Sequence, residues 1–355
     1  MKSATNKPSG KHAMRYRASI ALAICVFLAT MTLILGCGNS AQEHLAKGDS
    51  YYVQKQWHQA IEEYSKAIEL DPTVAMSYSD RGSAYLAEGE NSTAQSDFEK
   101  AKELDPKLGE AYSDRGYDRD DKGDYEGAIV DYTIAIELDP TDSYYYSFRG
   151  DAREDNGDYD GAIADYTKAL ELQKRPSSQA SDYSDRARVY AHKGNYDQAI
   201  VDYTKAIELH PKFYSYYDSR ARVYVKKGNY DNAVTDYTKA IQLLKDSPYL
   251  QAGTYGSRAS AYAEEGDYLG AIADYTIAVT LDPKNATTYS NRGDAFFKKG
   301  EYAQAIADTT KAIELDPELA AAYHFRGNAY QAEGENDKAA VDFKKAVELG
   351  WKPSK

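Results

Sequence analysis

Few stretches of this sequence carry the residue types and spacing that chemistry needs. Asp118-Arg119-Asp120-Asp121-Lys122-Gly123-Asp124 opens like a calcium loop. However, Lys122 takes a ligand place and Ile129 stands where the closing glutamate belongs. The histidines, His12, His44, His58, His192, His210 and His324, never occur as a pair with metal-ligand spacing on a helix. No glycine-rich phosphate loop and no nucleophile elbow is present. A Ser-His-Asp triad would have to assemble by accident from positions set by an internal repeat. The two cysteines, Cys25 and Cys37, leave the 318 residues that follow without a thiol, so neither disulfides nor thiolate metal sites are available there. These patterns predict no enzyme, no cofactor, no metal and no small-molecule substrate. The formal charge of −13 lacks the basic excess that nucleic-acid binding leaves in a composition.

Cys37 has a different chemistry. Lys2, Lys7, Lys11, Arg15 and Arg17 precede an uncharged run from Ala18 to Gly36, and no acidic residue occurs before Glu43. A basic start, an apolar stretch and small residues at its end form a secretory signal. The sequence Leu33-Ile34-Leu35-Gly36-Cys37 resembles the lipobox of bacterial lipoproteins. That resemblance implies cleavage before Cys37, acylation of Cys37, and an array outside the cytoplasm, at the outer membrane if there is one. Leu35 is bulkier than the residue usual there, and Cys37 sits late; initiation at Met14 would shorten the basic region. The alternative is an uncleaved signal anchor, since 19 apolar and small residues can span a bilayer. The reading divides the chain into a signal over 1–36, a short linker over 37–40 and an array over 41–353.

The elements that must position everything else come from self-similarity. Gly194-Asn195-Tyr196-Asp197-Gln198-Ala199-Ile200 recurs in near copies beginning at Gly123, Gly157, Gly228, Gly266 and Gly300. Pro72, Pro106 and Pro140 are spaced 34 residues apart. Within a unit, Tyr78, Gly82 and Tyr85 have helical spacing, Gly89 breaks the helix, and Ala94, Phe98 and Ala101 form the stripe of a second helix. The residue before each proline is pushed out of helical dihedrals, which ends the unit. Units begin at Ala41, Ala75, Gly109, Ser143, Ala180, Tyr214, Ala252, Ala286 and Ala320. The first is degenerate, with His44 and Lys55 at places where tyrosine and glycine recur. Extra residues at 174–178 and 245–248 are expected to lengthen loops; the alternative is that they bend the array.

This residue set resembles the tetratricopeptide repeat (TPR). The resemblance implies an all-α fold: a right-handed α-solenoid of about nine TPR helix-turn-helix hairpins whose first helices line a concave groove. The groove positions carried over from the family give Glu110, Tyr117, Asp120 and Asp121 from unit three. Unit four gives Tyr144, Asp151, Glu154 and Asp155. Arg188, His192, Arg222 and Lys226 follow from units five and six, and the small residues Gly253, Gly256, Ser260 and Ala263 from unit seven. This predicts a groove that is acidic at one end and basic at the other. The family's carboxylate clamp for chaperone tails is missing, because Ser79, Ser113, Ser147 and Tyr117 occupy its places. Arg119 and Arg153 stand where other units carry an aromatic. A buried guanidinium must pair or snorkel, so packing there is expected to be weaker, with Asp118, Asp120, Asp121, Glu154 and Asp155 as nearby acids. The functional expectation is a protein-interaction scaffold tethered to the cell envelope. The alternative is a non-catalytic adaptor subunit of an envelope enzyme, secretion or assembly complex.

Overall fold

The structure is a computed structural model that describes residues 40–352. The expected signal segment and Cys37 lie outside the described residues. Among the described residues there are eighteen helices, paired into nine hairpins, and no strand. The first helices are α1 (Ala41–Val53), α3 (Ala75–Glu88), α5 (Leu108–Asp120), α7 (Ser143–Asp155), α9 (Pro176–His192), α11 (Tyr214–Lys226), α13 (Pro248–Glu265), α15 (Ala286–Lys299) and α17 (Ala320–Ala332). The second helices are α2 (Trp57–Leu70), α4 (Asn91–Leu104), α6 (Tyr125–Leu138), α8 (Tyr159–Leu172), α10 (Tyr196–Leu209), α12 (Tyr230–Leu243), α14 (Tyr268–Leu281), α16 (Tyr302–Leu315) and α18 (Asn336–Glu348). The chain forms two compact units, one ending at Leu108 and one beginning at Gly109.

Local chemistry accounts for each hairpin. Its turn requires a left-handed residue, and Gly89, Gly123, Gly157, Gly194, Gly228, Gly266, Gly300 and Gly334 all have φ between 74° and 94°. Asp124, Asp158 and Asp267 then accept a hydrogen bond from the backbone N–H three residues on, capping the second helix. Asp71, Asp105, Asp139, His210, Asp282 and Asp316, each followed by proline, take extended dihedrals and stop it. Alanines close the helix pair: Ala199 on α10 and Ala187 on α9 are fully buried around Tyr203. Where the first helix carries glycine instead, the ring presses closer. A methyl placed on Gly150 would lie 2.9 Å from the Tyr166 ring.

The two insertions lengthen the first helices that follow them. α9 starts at Pro176 and α13 at Pro248, each with proline in its first turn, which makes them the longest helices described, at 17 and 18 residues. The extra residues thus add a turn to a first helix, contrary to the expected longer loop.

A repeated ion pair, absent from the sequence reading, locks eight of the nine hairpins. Arg81, Arg115, Arg149, Arg186, Arg220, Arg258, Arg292 and Arg326 donate through Nε and Nη2 to the aspartate sixteen residues on, with both bonds 2.6–2.9 Å. Such bidentate pairs are directional as well as charged. In seven of these hairpins Nη1 also reaches a serine or threonine hydroxyl on the preceding second helix, at 2.7–3.3 Å. One guanidinium therefore ties the two helices of its hairpin together and ties that hairpin to the one before. In the first hairpin Lys47 and Glu63 occupy these places, and Glu63 instead meets His44 at 2.7 Å.

Candidate functional site

Within the second unit, consecutive first helices approach one another, α9 with both α7 and α11, α13 with α15, and α15 with α17. Among the described residues no two consecutive second helices pack together to that extent. First helices therefore lie side by side from α7 to α11 and from α13 to α17, and the outward residues of the former, with Asp120 of α5 beside Asp155, share one face.

That face brings together Asp120, Asp151, Glu154, Asp155 and Arg188 from the expected set, and adds Asp182 and Asp185. Arg188 on α9 lies 2.7 Å from Glu154 and 3.8 Å from Asp151, both on α7, and 3.1 Å from Asp185 on its own helix. The Tyr166 hydroxyl rises from α8 and donates to Asp151 at 2.6 Å. Tyrosine suits this place because its ring is buried while its oxygen reaches the polar face. Ser147 donates to Asp182 at 2.7 Å, joining α7 to α9 again.

The carboxyl groups here hold their protons unusually tightly. Burial, reinforced by the charge of Asp185, pushes Asp151 up to about 7, and burial likewise pushes Glu154 up to about 7. Asp182 is pushed up to about 6, again by burial, and Asp185 is raised for the same reason. Asp120 is raised by burial and by Asp155. These groups titrate as a set rather than one by one.

The basic end is smaller than expected. Arg188 sits inside the acidic cluster and neutralises part of it. Arg222 is paired with Asp218 at 2.8 Å, yet 65% of its side chain is exposed, and Lys226 is exposed at the end of the same helix. His192 lies 3.5 Å from Glu154 with half its side chain in solvent.

Other expected residues fall outside the cluster. Glu110 is exposed near the start of α5, roughly 15 Å of helix from Asp120. There it joins a stripe with Asp114 and Asp118, and Asp114 is raised by burial and by Glu110. Tyr117 is 61% exposed on α5. Tyr144 is half-buried: its hydroxyl is 3.2 Å from Ser178, its ring stacks on Phe148, and Arg175 lies over it at 5.5 Å. On α13, a methyl added to Gly253 or Gly256 would meet nothing within 4 Å, so neither glycine is explained by packing.

Arg119 and Arg153 are satisfied, and not by the acids nearest in sequence. Arg153 donates to Asp165 at 2.7 Å and lies 3.6 Å from Asp158; Arg119 lies 3.1 Å from Asp131 and 3.8 Å from Asp124. Each reinforces the aspartate already gripped by the repeated arginine of its hairpin. The expected acid partners are replaced by this double clamp.

Asp114, Asp182 and Asp185 occupy unit positions three and six, outside the groove positions carried over from the family, whereas Asp218 stands at a carried-over position, the fifth, where most units have serine. Only the helix-to-helix approach shows that positions three and six border the face.

Comparison with known proteins agrees with this architecture. The family model described as TPR repeat matches residues 48–89, 259–300 and 293–334. Models described as tetratricopeptide repeat match 180–213, 113–179, and 76–108, 214–244 and 320–349. No curated protein matches the chain. Among solved structures, a tetratricopeptide repeat protein from Parabacteroides merdae ATCC 43184 is 24% identical, with a TM-score of 0.55, and the match covers 70% of this chain and 95% of that one. The MamA protein is 27% identical over 48% of this chain and 91% of its own, with a TM-score of 0.43. YrrB, a TPR protein with an unusual peptide-binding site, is 25% identical over 54% and 96%, with a TM-score of 0.45. The matched segments together span most of the described residues, so the chain belongs to the tetratricopeptide repeat family.

Proposed function

We propose that this chain is a protein-interaction scaffold, tethered at the cell envelope through acylated Cys37, whose α5–α11 face holds an extended segment of a partner protein. Tetratricopeptide arrays are in general non-catalytic scaffolds for protein–protein interaction. The observation that carries the finer reading is the uneven character of one face. Tyr117, 61% exposed, stands on the same helix as Asp118 and next to the exposed Asp121, while the exposed charges of Arg222 and Lys226 lie three hairpins further on. An extended segment with basic residues toward α5 and α7 and an acidic residue toward α11 complements it. Exposed tyrosine supplies rigid contact area at low entropic cost.

The test is photocrosslinking in native membranes, with a photoreactive residue at Tyr117 or Arg222 and a control at Asp231 on α12. One partner captured from both first-helix sites supports the groove. If that partner proves to be a stoichiometric enzyme subunit, the scaffold is an adaptor. Partners captured from Asp231 alone overturn the groove. Metabolic labelling with a clickable fatty acid tests the tether: label on the chain should disappear in Cys37→Ser.

A further inference from the structure

The seam between the fourth and fifth hairpins gathers more acid than it can pair. Asp151, Glu154 and Asp155 come from α7; Asp182 and Asp185 come from α9. Against these five carboxyls stands one permanent cation, Arg188, in contact with three of them at 2.7–3.8 Å. Glu154 is 6% exposed, and neither of its oxygens accepts a well-aligned hydrogen bond, although Arg188 lies within ion-pair distance. Asp182 is 5% exposed, and its Oδ2 accepts none.

The surrounding elements add little positive charge. α5 contributes Asp120, which feels Asp155. α8 contributes the Tyr166 hydroxyl on Asp151. Tyr203 of α10 and Tyr216 of α11 both feel the charge of Asp185. His192 at the end of α9 lies 3.5 Å from Glu154.

We infer that the α7–α9 seam is a pH-sensitive joint, held more tightly in mild acid than above neutrality. When all five carboxyls are ionised, like charges face each other across two helices, and at least two of them are desolvated without full hydrogen bonding. Proton uptake removes the repulsion and turns a buried carboxylate into a neutral group that can donate.

The direction follows from proton linkage. Asp151 and Glu154 hold protons to about 7, and Asp182 to about 6, whereas a carboxyl in an unfolded chain releases its proton near pH 4. The closed seam therefore binds more protons than the open one between roughly pH 4 and 7, and stability rises as pH falls through that window. In a repeat array a hairpin is held only by its neighbours, so a weakened seam opens locally while the hairpins on either side stay folded. This inference does not depend on what binds the face.

Hydrogen exchange of the full chain in detergent, corrected for the intrinsic pH dependence of exchange, tests it. Amides of α7–α9 should be severalfold better protected at pH 6 than at pH 8, relative to amides of α15–α17. The difference should shrink in the isosteric double variant Glu154→Gln/Asp182→Asn and in Asp151→Asn, which serves if the double variant is poorly folded. In His192→Gln most of it should remain. Equal or greater protection at pH 8, or a pH difference unchanged in both carboxyl variants, overturns the joint.

Discussion

Lys55 holds φ at 59°, in the turn where every later hairpin of the array places glycine. A side chain in the left-handed region costs about 1 kcal/mol relative to glycine. Lys55→Gly should therefore stabilise the first hairpin by about that amount, read as slower hydrogen exchange in α1 and α2. No gain would mean that the surrounding turn already relieves the strain. The substitution of glycine by lysine was plain in the repeat alignment, but its dihedral was not: a degenerate unit could equally have closed by a different turn.

At the scale of the helix pair, the repeated arginine–aspartate clamp dominates. Arg220 and Asp236 are 15% and 6% exposed at their side chains, and Arg220 also donates to Thr204 on the preceding second helix at 2.7 Å. Removing one partner strands a buried charge, so Arg220→Met should cost about 3–5 kcal/mol, measured by urea unfolding with hydrogen exchange to localise the loss. The double variant Arg220→Met/Asp236→Leu should recover most of it, because a well-packed apolar pair has no charge to desolvate. A double variant as unstable as the single one would show that the threonine link between hairpins matters more than the buried pair. Arginine and aspartate recur visibly at a separation of sixteen residues. That they meet depends on the turn angle and on which helix faces line up, and neither can be read from spacing alone.

For the array as a whole, the outer face of the ninth hairpin needs covering, and Trp351 does this. Its indole stacks on His324 at 4.7 Å and meets Phe325 edge-on at 5.9 Å. Gly350, with φ 89°, turns the backbone so that the Trp351 N–H bonds Ala346 O at 2.9 Å. Val347 is 64% exposed and takes no part in the cover. Trp351→Ala should destabilise α17 and α18 by about 2 kcal/mol, less than for a fully buried tryptophan, with the effect fading toward α13. Limited proteolysis should detect it as earlier cleavage in α17 and α18. Uniform loosening of every hairpin would instead indicate an array that unfolds as one cooperative body.

Period, helix pairing, turn glycines and proline stops were all legible in the sequence, because each is a local requirement of backbone dihedrals or of one helix stripe meeting the next. The family resemblance supplied the groove positions that include Asp120, Asp151 and Glu154. Tertiary structure decided which of the groove charges are available. It drew Arg188 into the acidic cluster, turned Arg119 and Arg153 inward onto Asp131 and Asp165, and converted two insertions into helical turns. Those outcomes depend on distances between side chains that are far apart in sequence or on neighbouring hairpins. Such distances are set by how the helices pack, and a repeat period says which residues are equivalent without saying which of them touch.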